Sequence, residues 1–378
     1  MAVTLNTTIG NLLFSSAIPD LVLTTSDDNE AEIILRCPDM TIFSAVHFPY
    51  SRRITIHDLR SVVELYMRER NLTLDEFELL AVHNGTQQTL AGFKVVYLEH
   101  HFDGDIEEFL RNNFLTTMSA KLTSPKATEF LHFFIEAGVQ ELITYQVVAS
   151  VEGIAGGEPR IYTMRENCGQ YNYSRIYKLE ITYEVLMGIV ESPADGRPRD
   201  KITVHAYSIH AGQRAFTYYV QRHEPSLSLY FRNAYNVYEL CALQAVTTHK
   251  PKVDRSIAVT HRLSTFYNQQ NEKQYEVETS GLTMEQARWI EQLFYSHDVR
   301  MATVRTDFEE ENYGSYNPQY MPIILITDFT CEIHDRDGEL NTVKFTYLYQ
   351  DRRTYLPTDY LSVDHDRIFT DPYNPTYN

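Results

Sequence analysis

The residues best suited to chemistry are His100 and His101 with Asp103 and Asp105, a donor set that fits a divalent metal. Neighbouring side chains on a strand point to opposite faces, however, so the pair reads as surface histidines rather than as two ligands. Asp335, Asp337 and Gly338 open like a calcium loop, but no acidic residue stands at the twelfth position, and a hairpin turn explains the same letters. Asp364-His365-Asp366 are adjacent on a stretch without period, where three successive side chains diverge. Gly153, Gly156 and Gly157 lack the Lys-Ser/Thr that a phosphate loop needs. There is no G-x-S-x-G, and carboxylate runs such as Glu309-Glu310-Glu311 are expected of solvated faces in an acidic chain. Aromatic sets at Tyr171, Tyr173 and Tyr177, at Tyr218 and Tyr219, and at Phe345, Tyr347 and Tyr349 could stack sugars. Packing within sheets or across subunits is the simpler account and the one favoured. The chain therefore offers no catalytic, cofactor-binding or metal-binding residue, and it is expected to be non-enzymatic.

The composition points the same way. The chain has 378 residues, 43% of them hydrophobic, enough for two or three folded domains. It carries 27 Tyr and 19 Phe against one Trp, a balance that suits half-buried strand positions and interfaces. A net charge of −18 argues against tight binding to duplex DNA or an anionic membrane. Cys37, Cys168, Cys241 and Cys331 are widely spaced, with no C-x-x-C, and read as buried thiols. No apolar run is long enough to insert as a membrane helix, and the start lacks the pattern of a signal peptide, so assembly in a cytoplasm is expected.

The elements that would position these residues are mostly strands. Residues 1–30 are polar and suit an arm or irregular lead-in. Strands are predicted at 31–36 and 41–47. A helix follows, capped by Thr55 or Asp58 and carrying Leu59, Val62, Val63 and Tyr66. Asn84-Gly85 joins Phe77–Val82 to Phe93–Leu98 as a hairpin, and Asp103-Gly104-Asp105 starts a short helix with Ile106, Phe109 and Leu110. From Tyr173 to Val185 the side chains alternate as one strand with a wet face; Leu142–Val151, Ile202–Ile209 and Ala215–Gln221 behave alike. Gly153–Pro159 and Ser192–Gly196 are turn-rich joins. Later strands fall near 228–234, 237–247, 255–264, 272–279, 298–304, 322–333 and 341–350. Thr283 and Gln286 form a capping box before a helix at 283–295, whose stripe is Met284, Ala287, Ile290 and Phe294 with Trp289 and Leu293 beside it. The expected architecture is mainly β with minor α: antiparallel sandwich or split-barrel domains, each flanked by a helix. The boundaries are 1–125 (β-rich, one or two helices), 126–227 (sandwich-like), 228–356 (barrel-like with the helix) and 357–378 (extended tail).

Phe231-Arg232-Asn233-Ala234-Tyr235-Asn236-Val237-Tyr238-Glu239 opens the last module. Tyr275–Thr279, Leu282-Thr283, Trp289–Phe294, Ile324–Phe329 and Leu340–Phe345 follow it. This series resembles structural tail and baseplate proteins of phages and prophages of gut Bacteroidetes, well over the last third and loosely elsewhere. The resemblance implies a distal-tail, hub or adaptor subunit forming a homo-oligomeric ring with other tail and virion proteins. It also implies assembly in the bacterial host's cytoplasm and residence in the virion tail. An acidic lumen through which DNA slides without tight binding fits that picture. A receptor- or glycan-binding tail protein, and a polysaccharide-cleaving enzyme with carboxylates that meet only in the fold, are the alternatives.

Overall fold

The computed structural model describes residues 3–124, 127–152, 157–191, 201–221, 223–260, 263–279, 281–303, 319–332 and 340–350. Among them are twenty-two strands in five sheets and four α-helices, so the chain is mainly β with minor α and has β-sandwich character. Adjacent strands run antiparallel apart from two parallel pairs, Leu12–Phe14 beside Thr86–Val96 and Ala120–Thr123 beside Arg214–Val220.

The first module has a three-stranded sheet of Val3–Leu5, Leu21–Thr25 and Arg53–Ile56. It shares one core with a five-stranded sheet ordered Leu12–Phe14, Thr86–Val96, Leu74–His83, Ala31–Arg36 and Thr41–His47. The opening thirty residues are therefore not an irregular arm. Val3, Leu21, Leu23 and Thr25 point inward, while Asn6 Nδ2 donates to Thr24 Oγ1 at 2.8 Å on the outer side. The polar composition belongs to the wet face of paired strands. Asn84 and Gly85, at φ of 52° and 73°, make the two-residue hairpin turn, which needs left-handed backbone at both positions. Helix α1 (Leu59–Glu69) is capped by Asp58, whose carboxylate accepts from the Ser61 N–H; Thr55 lies within a strand. The buried stripe is Leu59, Val63 and Met67, with Tyr66 on its flank. Helix α2 (Ile106–Asn112) begins at Asp105, which accepts from the N–H groups of Glu107 and Glu108.

The middle module pairs Glu129–Ile135 with Arg175–Ile181. Beside them lies a five-stranded sheet of Arg160–Asn167, Leu142–Val151, Ile202–Ala211, Arg214–Val220 and Ala120–Thr123. The single strand expected over Tyr173–Val185 ends at Ile181. There Thr182 Oγ1 accepts from the Val185 N–H and helix α3 (Tyr183–Glu191) starts. Apolar residues at 183, 186, 187 and 190 carry the helical spacing, and Leu186, Met187, Ile189 and Val190 are buried.

The last module is a seven-stranded sheet ordered Tyr238–Leu243, Leu227–Arg232, Val299–Thr303, Gln319–Glu332, Thr342–Tyr349, Leu263–Thr279 and Ala245–Thr260. Helix α4 (Met284–Tyr295) has the predicted capping box: Gln286 N–H donates to Thr283 Oγ1, and Thr283 N–H donates to Gln286 Oε1. Ala287, Trp289, Ile290 and Leu293 are buried and Met284 is exposed, so the buried stripe is rotated from the expected one. Buried apolar residues run without a break from Phe114 to Tyr347, joining the middle and last modules in one core. A smaller cluster holds the first module to them: Phe14 meets Phe109 of α2 at 5.6 Å between centroids, and Tyr235 stacks on Phe109 at 6.2 Å.

Candidate functional site

Of the sequence candidates for metal chemistry, the described His100, His101, Asp103 and Asp105 do not assemble as a ligand set. His101 Nε2 lies 2.6 Å from Asp103 Oδ1, both highly exposed, while Asp105 is committed to capping α2. Among the described residues no group of three or more His, Cys, Asp or Glu is placed to hold a metal. Asp335–Gly338, Asp364–Asp366, Glu309–Glu311, Ser192–Gly196, Gly153, Gly156 and the 357–378 tail lie outside the described residues. Cys37, Cys168 and Cys241 are buried free thiols. Of the aromatic sets, Tyr218, Phe345 and Tyr347 are buried in the core, whereas Tyr173 and Tyr219 are exposed.

The strongest chemical cluster was not among those candidates. Lys121 sits on the short parallel strand, Glu129 on the neighbouring Glu129–Ile135 strand and Glu239 on Tyr238–Leu243; all three are buried. Lys121 Nζ lies 2.9 Å from Glu129 Oε2 and 3.9 Å from Glu239 Oε1, and 5.2 Å from the Trp289 ring centroid. Thr123 Oγ1 donates to Glu129 Oε1 at 2.7 Å; Thr116 Oγ1 and Asn233 Nδ2 donate to Glu239 at 2.9 and 3.0 Å. Burial raises the Glu129 carboxyl above its ordinary range, opposed chiefly by the Lys121 charge. The same burial pushes the neighbouring Cys241 thiol far up. Lys121 and Trp289 also line a recess of about 140 Å³ with Met118, Leu243, Leu282 and Ile290. Each carboxylate is closed by its own donors and by the shared ammonium, so the cluster ties three strands together. Its sequence signal was a charged residue inside an apolar strand, as in Glu129-Phe-Leu-His-Phe-Phe-Ile.

Among the described residues, the feature with the least covering is the hairpin of Ala245–Thr260 and Leu263–Thr279. These strands pair with each other along their whole length. The third strand, Thr342–Tyr349, reaches only Tyr275–Glu278. Beyond that root, residues 250–260 and 263–274 are a two-stranded ribbon, and at about 3.3 Å per residue its eleven-residue outgoing strand extends ~35 Å. The root is clamped by an aromatic stack: Tyr275 lies 5.0 Å from both His249 and Tyr347, and the two tyrosine rings are within 11° of parallel. From Val246 to Val259 no described side chain is buried; Val246, Val253, Ile257 and Val259 are 46–72% exposed. A lone two-stranded ribbon is marginal in water, and an outer strand with free backbone groups invites a partner.

No family model matches this chain, and no curated protein matches it. Among solved structures it is similar to the full extracellular region of plexin A4, at 9% identity with a TM-score of 0.21, over 94% of this chain and 40% of that one. It is also similar to CBD12 from CALX1.2, at 10% identity with a TM-score of 0.13, over 53% of this chain and 76% of that one.

Proposed function

We propose that this chain is a non-enzymatic structural subunit that forms a homomeric ring in a phage tail or baseplate, in a distal-tail, hub or adaptor position. The observation that carries the reading is the long hairpin. A scaffold rarely exposes a ribbon of valines and isoleucine on a sheet edge that no described strand pairs unless another chain completes it. Two further features support it. The most elaborate polar cluster is sealed by its own counter-charges, and the net charge of −18 suits a lumen that DNA traverses without adhering. The direct test is size-exclusion chromatography with light scattering, followed by negative-stain microscopy. A concentration-dependent high-mass species that resolves as rings is expected, and a chain that remains monomeric at high concentration overturns the proposal.

A glycan-binding role for the same subunit draws on one observation. Tyr171 and Tyr173 lie 6.2 Å apart with Tyr173 60% exposed, and the Arg175 guanidinium covers Tyr171 at 4.3 Å. Binding of the purified protein to a cell-surface glycan array, lost on Tyr173→Ala, would establish that role; an array without signal removes it.

A further inference from the structure

We infer that the hairpin is a basic arm that docks on the acidic body of a second copy of this chain, so that each subunit grips the next in one direction around a ring. This inference rests on the ring-forming reading above and names the surface that closes the ring. Charge is the first argument. Along the two described strands of the ribbon, 250–260 and 263–274, stand Lys250, Lys252, Arg255 and Lys273 against Asp254 and Glu272, a net of +2 on a chain of −18, with Lys250 also paired to Glu276 at the root. The ribbon is thus a positive projection from a negative protein, and a second copy is a surface of opposite sign. Exposed carboxylates on that body include Asp28 and Glu30 in one loop and Glu107 and Glu108 on α2.

The alternative within the same pair of molecules is arm against arm, edge strand to edge strand. Two features of the outer strand oppose it. Pro251 lacks the N–H that a new strand would need, and it stands between Lys250 and Lys252, which would face their own equivalents across an antiparallel seam. A contact in which the arm meets a different surface of its neighbour is heterologous. Repeated with a closing rotation it gives a ring, whereas arm-to-arm pairing stops at a dimer. The apolar side chains Val253, Ile257 and Val259 supply the buried part of the contact, and the lysines around them supply its direction and salt dependence.

The test compares self-association of the full chain with that of two arm variants by sedimentation velocity at low and high sodium chloride. One variant is Lys250→Gln/Lys252→Gln/Arg255→Gln; the other is Val253→Ser/Ile257→Ser/Val259→Ser. The Trp289 fluorescence melt confirms that each body stays folded. The parent chain should associate at least about tenfold more weakly at high salt. The neutralised variant should show that loss already at low salt, and the serine variant should be monomeric at both. Rings that persist in both variants overturn the arm while leaving the ring-forming reading intact; a monomeric parent chain overturns both. Variants that keep their rings but lose binding to duplex DNA would reassign the arm to nucleic acid and overturn the inference.

Discussion

Replacing Lys121 by Met tests whether the buried ionic cluster is a structural tie. The three side chains are 3%, 0% and 6% exposed, so removing the ammonium leaves Glu129 with its Thr123 donor and Glu239 with its Thr116 and Asn233 donors, and no counter-charge for either. An uncompensated buried carboxylate costs on the order of 3–5 kcal/mol, and the Met side chain recovers only part of the packing over Trp289. Glu129 has an escape, which is to take up a proton in the folded state. Its folded pKa, already raised by burial, then rises further above the unfolded value, so the native state binds more protons than the unfolded chain and stability falls as pH rises. The deficit of Lys121→Met should therefore be smaller at pH 5 than at pH 8. The double substitution Lys121→Met/Glu129→Gln, which keeps an acceptor for Thr123, should regain about 2–3 kcal/mol over the single one. Urea unfolding followed by the fluorescence of the one tryptophan, Trp289, reads all three. A loss under about 1 kcal/mol, a pH-independent deficit, or a double variant no more stable than the single would refute the tie.

Three further outcomes follow from the connections between modules. Asn236 Nδ2 donates to the Leu72 and Met67 carbonyls at 2.9 and 3.3 Å from a backbone at φ 58°, so Asn236→Ala should cost about 2–4 kcal/mol in denaturant unfolding. Asn236→Gly should cost about 1 kcal/mol less, because glycine tolerates that backbone; equal costs would assign the whole effect to the lost donors. The Arg214 guanidinium donates to the Leu110, Phe134 and Ala211 carbonyls and to Glu141. Arg214→Lys keeps the charge without the fork and should lose about 2–3 kcal/mol; a melt matching the parent's contradicts this. Burial, then the Lys178 and Arg232 charges, holds His132 down to about 3. The unfolded chain thus binds the extra proton, and stability present above pH ~6.5 drains away as pH falls toward 3. A His132→Phe variant should show a shallower acid slope in melting temperature, and an identical slope would remove His132 from the acid response.

The legible parts of the fold were those where one physical signal dominated. The Asn84-Gly85 hairpin, the short helix after Asp103-Gly104-Asp105 and the Thr283/Gln286 box each depend on particular side chains close in sequence, and each forms where expected. Two signals were masked by neighbours. Thr and Asn on the outer faces of the first strands hid the alternation of Val3, Leu21 and Leu23. The period of two up to Ile181 ran into Tyr183, Leu186, Met187 and Val190, whose spacing had already changed to that of a helix. The ionic cluster was legible only in part: Glu129 at the head of an apolar strand marked it, and Lys121 stands eight residues before, but Glu239 lies on a strand far along the chain and joins them only through the fold. Gln292 illustrates the same limit. It is a polar residue on the buried side of α4 whose amide accepts from the Ala234 N–H and donates to Thr117, partners that no local pattern announces.

These polar ties share a mechanical consequence. Asn236 holds the first module to the last, Arg214 holds α2 to the middle sheet, and Gln292 holds α4 to the loop at Ala234; each is buried and saturates backbone groups of another element. A buried donor that satisfies a foreign carbonyl resists sliding, because any shift strands both groups without water. The body is therefore built to keep its modules in register, whereas the described strands of the ribbon beyond Tyr275 pair only with each other. A body tied across its modules with one projecting ribbon is a combination that suits the proposed assembly. In the proposed ring the body would fix the angle between neighbours, and the entropy lost on docking would be confined to the short segment that lands. Stiffening the arm without changing its charge should then strengthen association. Loosening the body at Asn236 should blur ring size before it abolishes assembly.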